Sequence, residues 1–347
     1  MAEFSNTFHY NGETVEPGEV RTLRHGISET YLGDPVEIPV TIINGRHPGP
    51  SVFLTAAIHG DELNGVKVVQ EVASRYSPTE LHGTLVCVHV VNIPGYLAQQ
   101  RYLPIYDLDL NRSFPGSERS NTAERMANAL FTTFIKQCDF GLDFHTSTRN
   151  RTTMFHVRAD MNNPNVARLA RSFGANVILG GGGDGGSLRG AATSAGTPTI
   201  TIEMGQAHRF QQRLIKRALD GVESVLAEYE LLPDRAIHWP GWIKVIDDSS
   251  DKRWLRADVG GLVEMHHGRR ELVYEGEVIA TISDHFRDEV HEVTAPFTGL
   301  LVGLLQNPVA APGHPLCHLV SVDDRTLEVI ESEQDRIQRR NAVLEGF

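Results

Sequence analysis

The chain has 347 residues, 40% of them hydrophobic and 22% charged, which excludes a disordered chain. No run of about 18 apolar residues is present to cross a membrane. The balance of 32 basic to 44 acidic residues, net −12, argues against general binding to a polyphosphate backbone, which needs clustered Lys and Arg, so neither nucleic acid nor membrane is an expected partner.

The first 20 residues carry neither the basic stretch nor the apolar stretch of a secretory signal. Residues 1–35, with Gly, Pro and Glu scattered through them, read as an N-terminal arm or edge hairpin. From Val36 short apolar runs alternate with helical stretches, the pattern of a layered α/β sheet. Strands are expected at 39–43, 51–57, 85–91, 140–144, 154–158, 176–179 and 199–203. Helices are expected at 64–74, 122–136, 164–173 and 208–230. Several strands are apolar on both faces, as when helices cover both sides. After Leu232–Pro233 the pattern changes to short β-like runs broken by glycine pairs and prolines, with no helical period until 331–345. This predicts a catalytic domain over 36–235 and a separate β-rich domain with a terminal helix over 236–347. Three cysteines, Cys87, Cys138 and Cys317, make no disulfide framework and no zinc knuckle. They point to a reducing, cytoplasmic compartment, with Cys138 in the core.

Four places carry candidate chemistry. His59 and Glu62, in Ala57-Ile58-His59-Gly60-Asp61-Glu62, sit where a strand ends and a helix begins. Sites in α/β sheets lie at such strand ends. A His and a Glu three residues apart there can face one metal ion, and both suit zinc; alternatively Asp61 and Glu62 only favour a helix start. The second strand-end histidine is His145, in Asp143-Phe144-His145-Thr146. Asp143 is two residues away and shares its face, so it can orient a ligand histidine; alternatively His145 is a buried ring on a backbone carbonyl. Glu203 ends the β-branched run Thr199-Ile200-Thr201-Ile202. A carboxylate there could take a proton from water beside a metal, or simply face solvent. The loop from Arg101 to Gly116 holds Arg101, Asn111 and Arg112 among Leu, Phe and Pro. Arginine forks bind carboxylates and stabilise oxyanions, although surface arginines on a polar loop are commoner.

In order, H-x-x-E (His59, Glu62), N-x-P-G (Asn92 to Gly95), R…DLNRxFPG (Arg101 to Gly116), D-x-H-T (Asp143, His145) and E-x-G (Glu203) resemble the succinylglutamate desuccinylase/aspartoacylase family, grouped with the zinc carboxypeptidases. The resemblance covers roughly residues 36–235. It implies a three-layer α/β/α sandwich on a mixed sheet. It also implies one zinc per chain on His59, Glu62 and His145, with Glu203 as general base and Arg101 at the oxyanion. Asn111 and Arg112 are implied to hold a substrate carboxylate, and Arg189 to make a further substrate contact. The tail resembles the family's C-terminal domain, a barrel-like unit similar to biotinyl/lipoyl carriers. The carrier's modified lysine is absent from the turn at Asp284 to Asp288, so no lipoylation or biotinylation is expected. The glycine run at 180–186 lacks a phosphate-loop fingerprint and reads as a loop near the substrate entrance.

The expected activity is zinc-dependent hydrolysis of the amide of an N-acyl amino acid or related small amide. One alternative is a zinc carboxypeptidase acting on short or γ-linked peptides bearing a carboxylate. The other is a metal-binding scaffold without turnover, which an intact Glu203 argues against. A homo-oligomer stays open.

Overall fold

The computed structural model describes residues 7–104, 106–148, 150–246, 250–268 and 272–332. It divides into two compact units, Met1–Arg149 with Phe155–Ile243, and Asn150–Met154 with Lys244–Phe347. No described helix is long and apolar enough to cross a membrane.

The first unit opens with a hairpin of β1 (Phe8–Tyr10) and β2 (Glu13–Val15), then β3 (Val20–Glu29), β4 (Pro35–Asn44) and β5 (His47–Ala56). The expected arm therefore supplies a hairpin and a full strand, β3, paired with β4. The chain continues through α1 (Leu63–Arg75), β6 (His82–Val88), α2 (Ile93–Leu97), a 3-10 turn at Leu110–Arg112 and α3 (Thr122–Leu130). Next come β7 (Phe140–Ser147), β8 (Arg151–Ala159, of which Phe155–Ala159 belong to this unit), α4 (Pro164–Ser172), β9 (Val177–Gly180), α5 (Leu188–Ser194), β10 (Thr199–Gln206) and α6 (Gln212–Glu228).

The strands lie side by side as β9-β8-β10-β7-β5-β6-β4-β3. Neighbours from β10 through β7 and β5 to β6 run parallel, while β4 and β3 turn antiparallel, which makes the sheet mixed. Helices α1, α4 and α6 pack together over β5, β7 and β10. On α6, Ile215, Ala218, Leu219, Val222, Val225 and Leu226 are buried, three and four residues apart, as one apolar stripe requires. On the other face α3 and α5 close a core around Ile38, Val40, Phe53, Phe134 and Leu188. Each such fully buried side chain contributes on the order of 1.5–3 kcal/mol. The fold is thus the α/β/α layering expected, with few helices.

Local differences have local causes. The expected helix over 122–136 stops at Leu130, and a wider π turn follows at Phe131–Ile135. There the Thr132 hydroxyl donates to the Asn128 carbonyl at 2.7 Å and Lys136 N reaches back to Phe131 O. A hydroxyl occupying the carbonyl four residues back competes with the regular ladder. Helices α2 and α5 are too short for a helical period to show, so their caps define them. The Asn92 side chain accepts from Gly95 N, and Ser187 Oγ accepts from Gly190 N.

The second unit holds β11 (Lys244–Ile246), β12 (Lys252–Arg256), β13 (Gly261–Met265), β14 (Leu272–Val273), β15 (Val278–Ser283), β16 (Val290–Thr294), β17 (Gly299–Leu305), β18 (Val309–Ala310) and β19 (Pro315–Ser321), and the pairs β12–β19, β13–β15, β13–β18, β14–β17, β15–β16 and β17–β19 are antiparallel. One sheet orders β16-β15-β13-β18, and β12-β19-β17 with β14 forms the other. Asp284 to Asp288 turn the chain between β15 and β16, with Asp284 Oδ1 accepting from Asp288 N at 2.9 Å. Residues 324–332 are helical, and the expected terminal helix over 331–345 lies almost wholly outside the described residues.

Candidate active site

The site sits where β5, β7 and β10 end, because a histidine or glutamate follows each apolar strand at its carboxyl end. The turn after β5 is tightly braced. Ala57 takes a left-handed φ of 52°, uncommon for a residue with a Cβ. Gly60 N donates to Arg101 O at 3.2 Å. A side chain on Gly60 would place its Cβ 2.0 Å from the Gly95 carbonyl carbon. The N-x-P-G motif is the other half of this brace. Asn92 Oδ1 accepts from Gly95 N at 2.9 Å, while its Nδ2 donates to Ile58 O at 3.3 Å and Arg101 O at 3.4 Å. We expect Gly60→Ala to destabilise the fold by about 3 kcal/mol, the upper part of the usual overpacking cost. Gly26, with open space around it, serves as the neutral control, and denaturant unfolding of both variants checks the contrast.

His59, Glu62 and His145 are all buried and converge, with one ligand atom of each within 4.8 Å of the others. His59 Nδ1 lies 2.8 Å from Glu62 Oε1, and His145 Nδ1 lies 3.0 Å from Glu62 Oε2. The two Nδ1 atoms are 3.2 Å apart. Bonds of about 2.0–2.1 Å in a tetrahedron put neighbouring ligands roughly 3.3 Å apart. The separations and the His/His/carboxylate chemistry therefore fit a zinc ion.

Each histidine has a carboxylate on its far nitrogen. Asp143 Oδ2 meets His145 Nε2 at 2.9 Å, and Thr55 Oγ1 donates to Asp143 Oδ1 at 2.9 Å. Asp109 Oδ1 meets His59 Nε2 at 3.2 Å and accepts from Asn111 N at 2.9 Å. Such partners leave the Nδ1 atoms to a metal and orient the rings. Sequence reading identified Asp143 from its two-residue offset but missed Asp109, which is fifty residues from its histidine in a loop without period.

The charges balance within the cluster. Burial alone would raise the Glu62 pKa, but His59 and His145 pull it well below the ordinary carboxylate value. Burial would lower that of His145, but Asp143 and Glu62 hold it well above the usual imidazole value. Asp109 is subject to the same penalty, yet His59 and Arg101 bring it down to about 2. Asp61 differs. Its carboxylate is enclosed with no hydrogen-bond partner among the described residues, and burial, then Glu62, pushes its pKa up. His208 Nε2 stands 3.7 Å away.

Glu203 is paired in register with His145 across β10 and β7, so both side chains leave the same face. Its Oε1 accepts from Arg158 Nε at 3.1 Å, a contact no spacing foretold. Arg101 Nη1 donates to Glu62 Oε1 at 2.9 Å, and its Nη2 is 4.0 Å from Asp109 Oδ2. Asn111 Oδ1 accepts from Leu188 N at 2.9 Å, tying its loop to the start of α5. Arg112 is half exposed, with Nη1 on Asn111 O at 2.8 Å and Nη2 3.2 Å from Asp184 Oδ2. Arg189 is buried and donates Nη1 to Gly181 O at 2.7 Å. The glycine run thus meets two of the expected substrate arginines.

Residues 48–229 match the model of the succinylglutamate desuccinylase/aspartoacylase catalytic domain. The chain is 27% identical over 266 residues to the N-alpha-acetyl-L-2,4-diaminobutyric acid deacetylase of Halomonas elongata, covering 74% of this chain and 77% of that one. Among solved structures, a succinylglutamate desuccinylase from Silicibacter sp. TM1040 superposes with a TM-score of 0.78 at 24% identity, over 88% of this chain and 95% of its own. The product-bound ectoine utilization protein EutE (DoeB) from Ruegeria pomeroyi gives 0.78 at 22% identity, over 92% and 100%. These two likenesses speak to the fold.

Proposed function

The chain belongs to the succinylglutamate desuccinylase/aspartoacylase family, and from that premise we propose that it is a zinc-dependent amidohydrolase releasing the acyl group of an N-acyl amino acid. The observation that carries this is the buried His59–Glu62–His145 cluster with Glu203 beside it in register. A curated relative that is a deacetylase of an N-acetylated amino acid supports the substrate class.

A zinc ion held by His59, Glu62 and His145 would supply Lewis-acid polarisation of the amide carbonyl and acidify water. The remaining work falls to the chain itself. Asp143 and Asp109 keep both imidazoles in the tautomer that offers Nδ1. Glu203 accepts the proton of the attacking water and returns it to the departing amine. Its Oε1 is anchored by Arg158, which leaves Oε2 for that transfer. Arg101 spends one of its donors on Glu62 and offers others to the developing oxyanion. Asn111, Arg112 and Arg189 form the polar wall that receives the rest of the substrate.

The test is a screen of zinc-loaded protein against N-acetyl, N-succinyl and N-formyl amino acids and short peptides, read by release of amine. Turnover confined to N-acyl amino acids is the expected result. Turnover confined to peptides would make the protein a carboxypeptidase, and stoichiometric zinc without any turnover would make it a scaffold.

A further inference from the structure

Arg158 lies on β8, next to β10 with Glu203, which in turn lies next to β7 with His145. Three neighbouring strands therefore present an imidazole, a carboxylate and a guanidinium in a row. Arg158 uses only its Nε, on Glu203 Oε1 at 3.1 Å. Its two Nη groups have no protein partner among the described residues, and its side chain is 40% exposed. The end of the fork is thus open while its edge is fixed, the geometry that accepts a carboxylate through two parallel bonds.

Arg189 reinforces the same spot. It is buried, and among the described residues only its Nη1 has a protein acceptor, Gly181 O. Its Nη2 stands 2.8 Å from where a Cβ on Gly183 would be, and Gly183 has a φ of 81°. A side chain there would displace the guanidinium, so the glycine run makes room for it. Burial, and then the charge of Arg158, lowers the Arg189 pKa, as expected of two guanidiniums close together. Asp160 is also near, but its Oδ1 accepts from Asn162 N at 3.1 Å and caps that turn. Arg112, by contrast, already carries Asp184 and the Asn111 carbonyl.

We propose that Arg158 is a specificity-determining residue that receives the carboxylate of the substrate on its free fork, with Arg189 beside it, while its Nε holds the base Glu203. This deepens the proposed hydrolase function and rests on it. It places the carboxylate of an N-acyl amino acid on the β8 side of Glu203, with the amide between that fork and the His59–Glu62–His145 cluster. A ligand that docks there also fixes the base, so a substrate lacking the carboxylate loses both binding and alignment.

The experiment measures binding, not turnover. Calorimetry of the full chain, freed of metal by chelation, compares N-acetyl-L-alanine with N-acetyl-L-alaninamide. The wild type should prefer the carboxylate by about tenfold or more, the scale of one charge-assisted bond pair. Arg158→Gln should bring that preference close to unity. Arg158→Lys keeps the charge without the fork and should retain a near-native melting temperature with most of the preference lost. A wild type without preference, an Arg158→Lys with full preference, or a preference that survives Arg158→Gln and vanishes in Arg112→Ala would each overturn the proposal. If the preference follows Arg158 but the zinc-loaded protein hydrolyses no N-acyl amino acid, the receptor stands and the assigned reaction fails.

Discussion

Glu203→Gln is expected to lower turnover by about 100- to 10,000-fold, the usual cost of losing a general base, while metal content and melting temperature stay near those of the wild type. Glutamine keeps the shape of glutamate and can still accept from Arg158 Nε through its carbonyl oxygen. It cannot take a proton from water. Among the described residues Glu203 stands outside the His59–Glu62–His145 group and its side chain is bonded to Arg158, so an ion held by those three should be indifferent to the change. Elemental analysis, a melting curve and a rate assay on one preparation separate the outcomes. Loss of metal in Glu203→Gln would make Glu203 a ligand and oblige the two glutamates to exchange roles. Full activity would assign the water to another group.

His145→Ala is expected to weaken metal binding by more than about 100-fold, beyond the 10- to 100-fold that losing an outer partner such as Asp143 costs. It should abolish activity with it. The mutant also tests a pH dependence. In the metal-free protein, Asp143 and Glu62 raise the His145 pKa well above its ordinary value, against the pull of burial. A group raised by folding stabilises fully below its unfolded value of about 6.5 and loses that contribution as pH climbs through the folded value. Metal must displace the proton to bind, so uptake releases it. The gap in melting temperature between metal-loaded and metal-free wild type should therefore be smaller in acid, widen as pH climbs toward the raised folded value of His145, and level off above it. In His145→Ala that gap should be small at every pH.

Why some of this was legible in the sequence and some was not follows from the distances involved. A strand that ends in a histidine states its own geometry, since period two fixes the face. That is how Asp143 and His145 could be placed together, and how Glu203 could be set at the end of another strand of the same sheet. His59 and Glu62 were visible because a strand gives way to a helix between them. Asp109, Arg158 and the Arg101–Glu62 bond were not visible. Each depends on which strands become neighbours or on the path of a loop, and neither leaves a local period. The same holds for β3, whose alternation is masked by exposed polar residues on both sides. The N-x-P-G motif is only a signature in the sequence, and its physical content lies in Asn92 reaching three backbone groups.

The three cysteines carry a further consequence. Cys87, Cys138 and Cys317 are all buried and unpaired. Burial pushes the Cys87 and Cys317 thiols up to about 12, and that of Cys138 higher still, with help from Asp139. A thiol that cannot ionise neither attacks nor is readily oxidised. No ligand of the candidate centre and no proposed acid or base is sulfur. Alkylating agents and peroxide therefore find no accessible thiol in the folded chain, and a titration of free thiols should read zero until it unfolds. The scarcity of cysteine, which at first suggests a reducing environment, leaves the folded protein without an accessible thiol for an oxidant to reach.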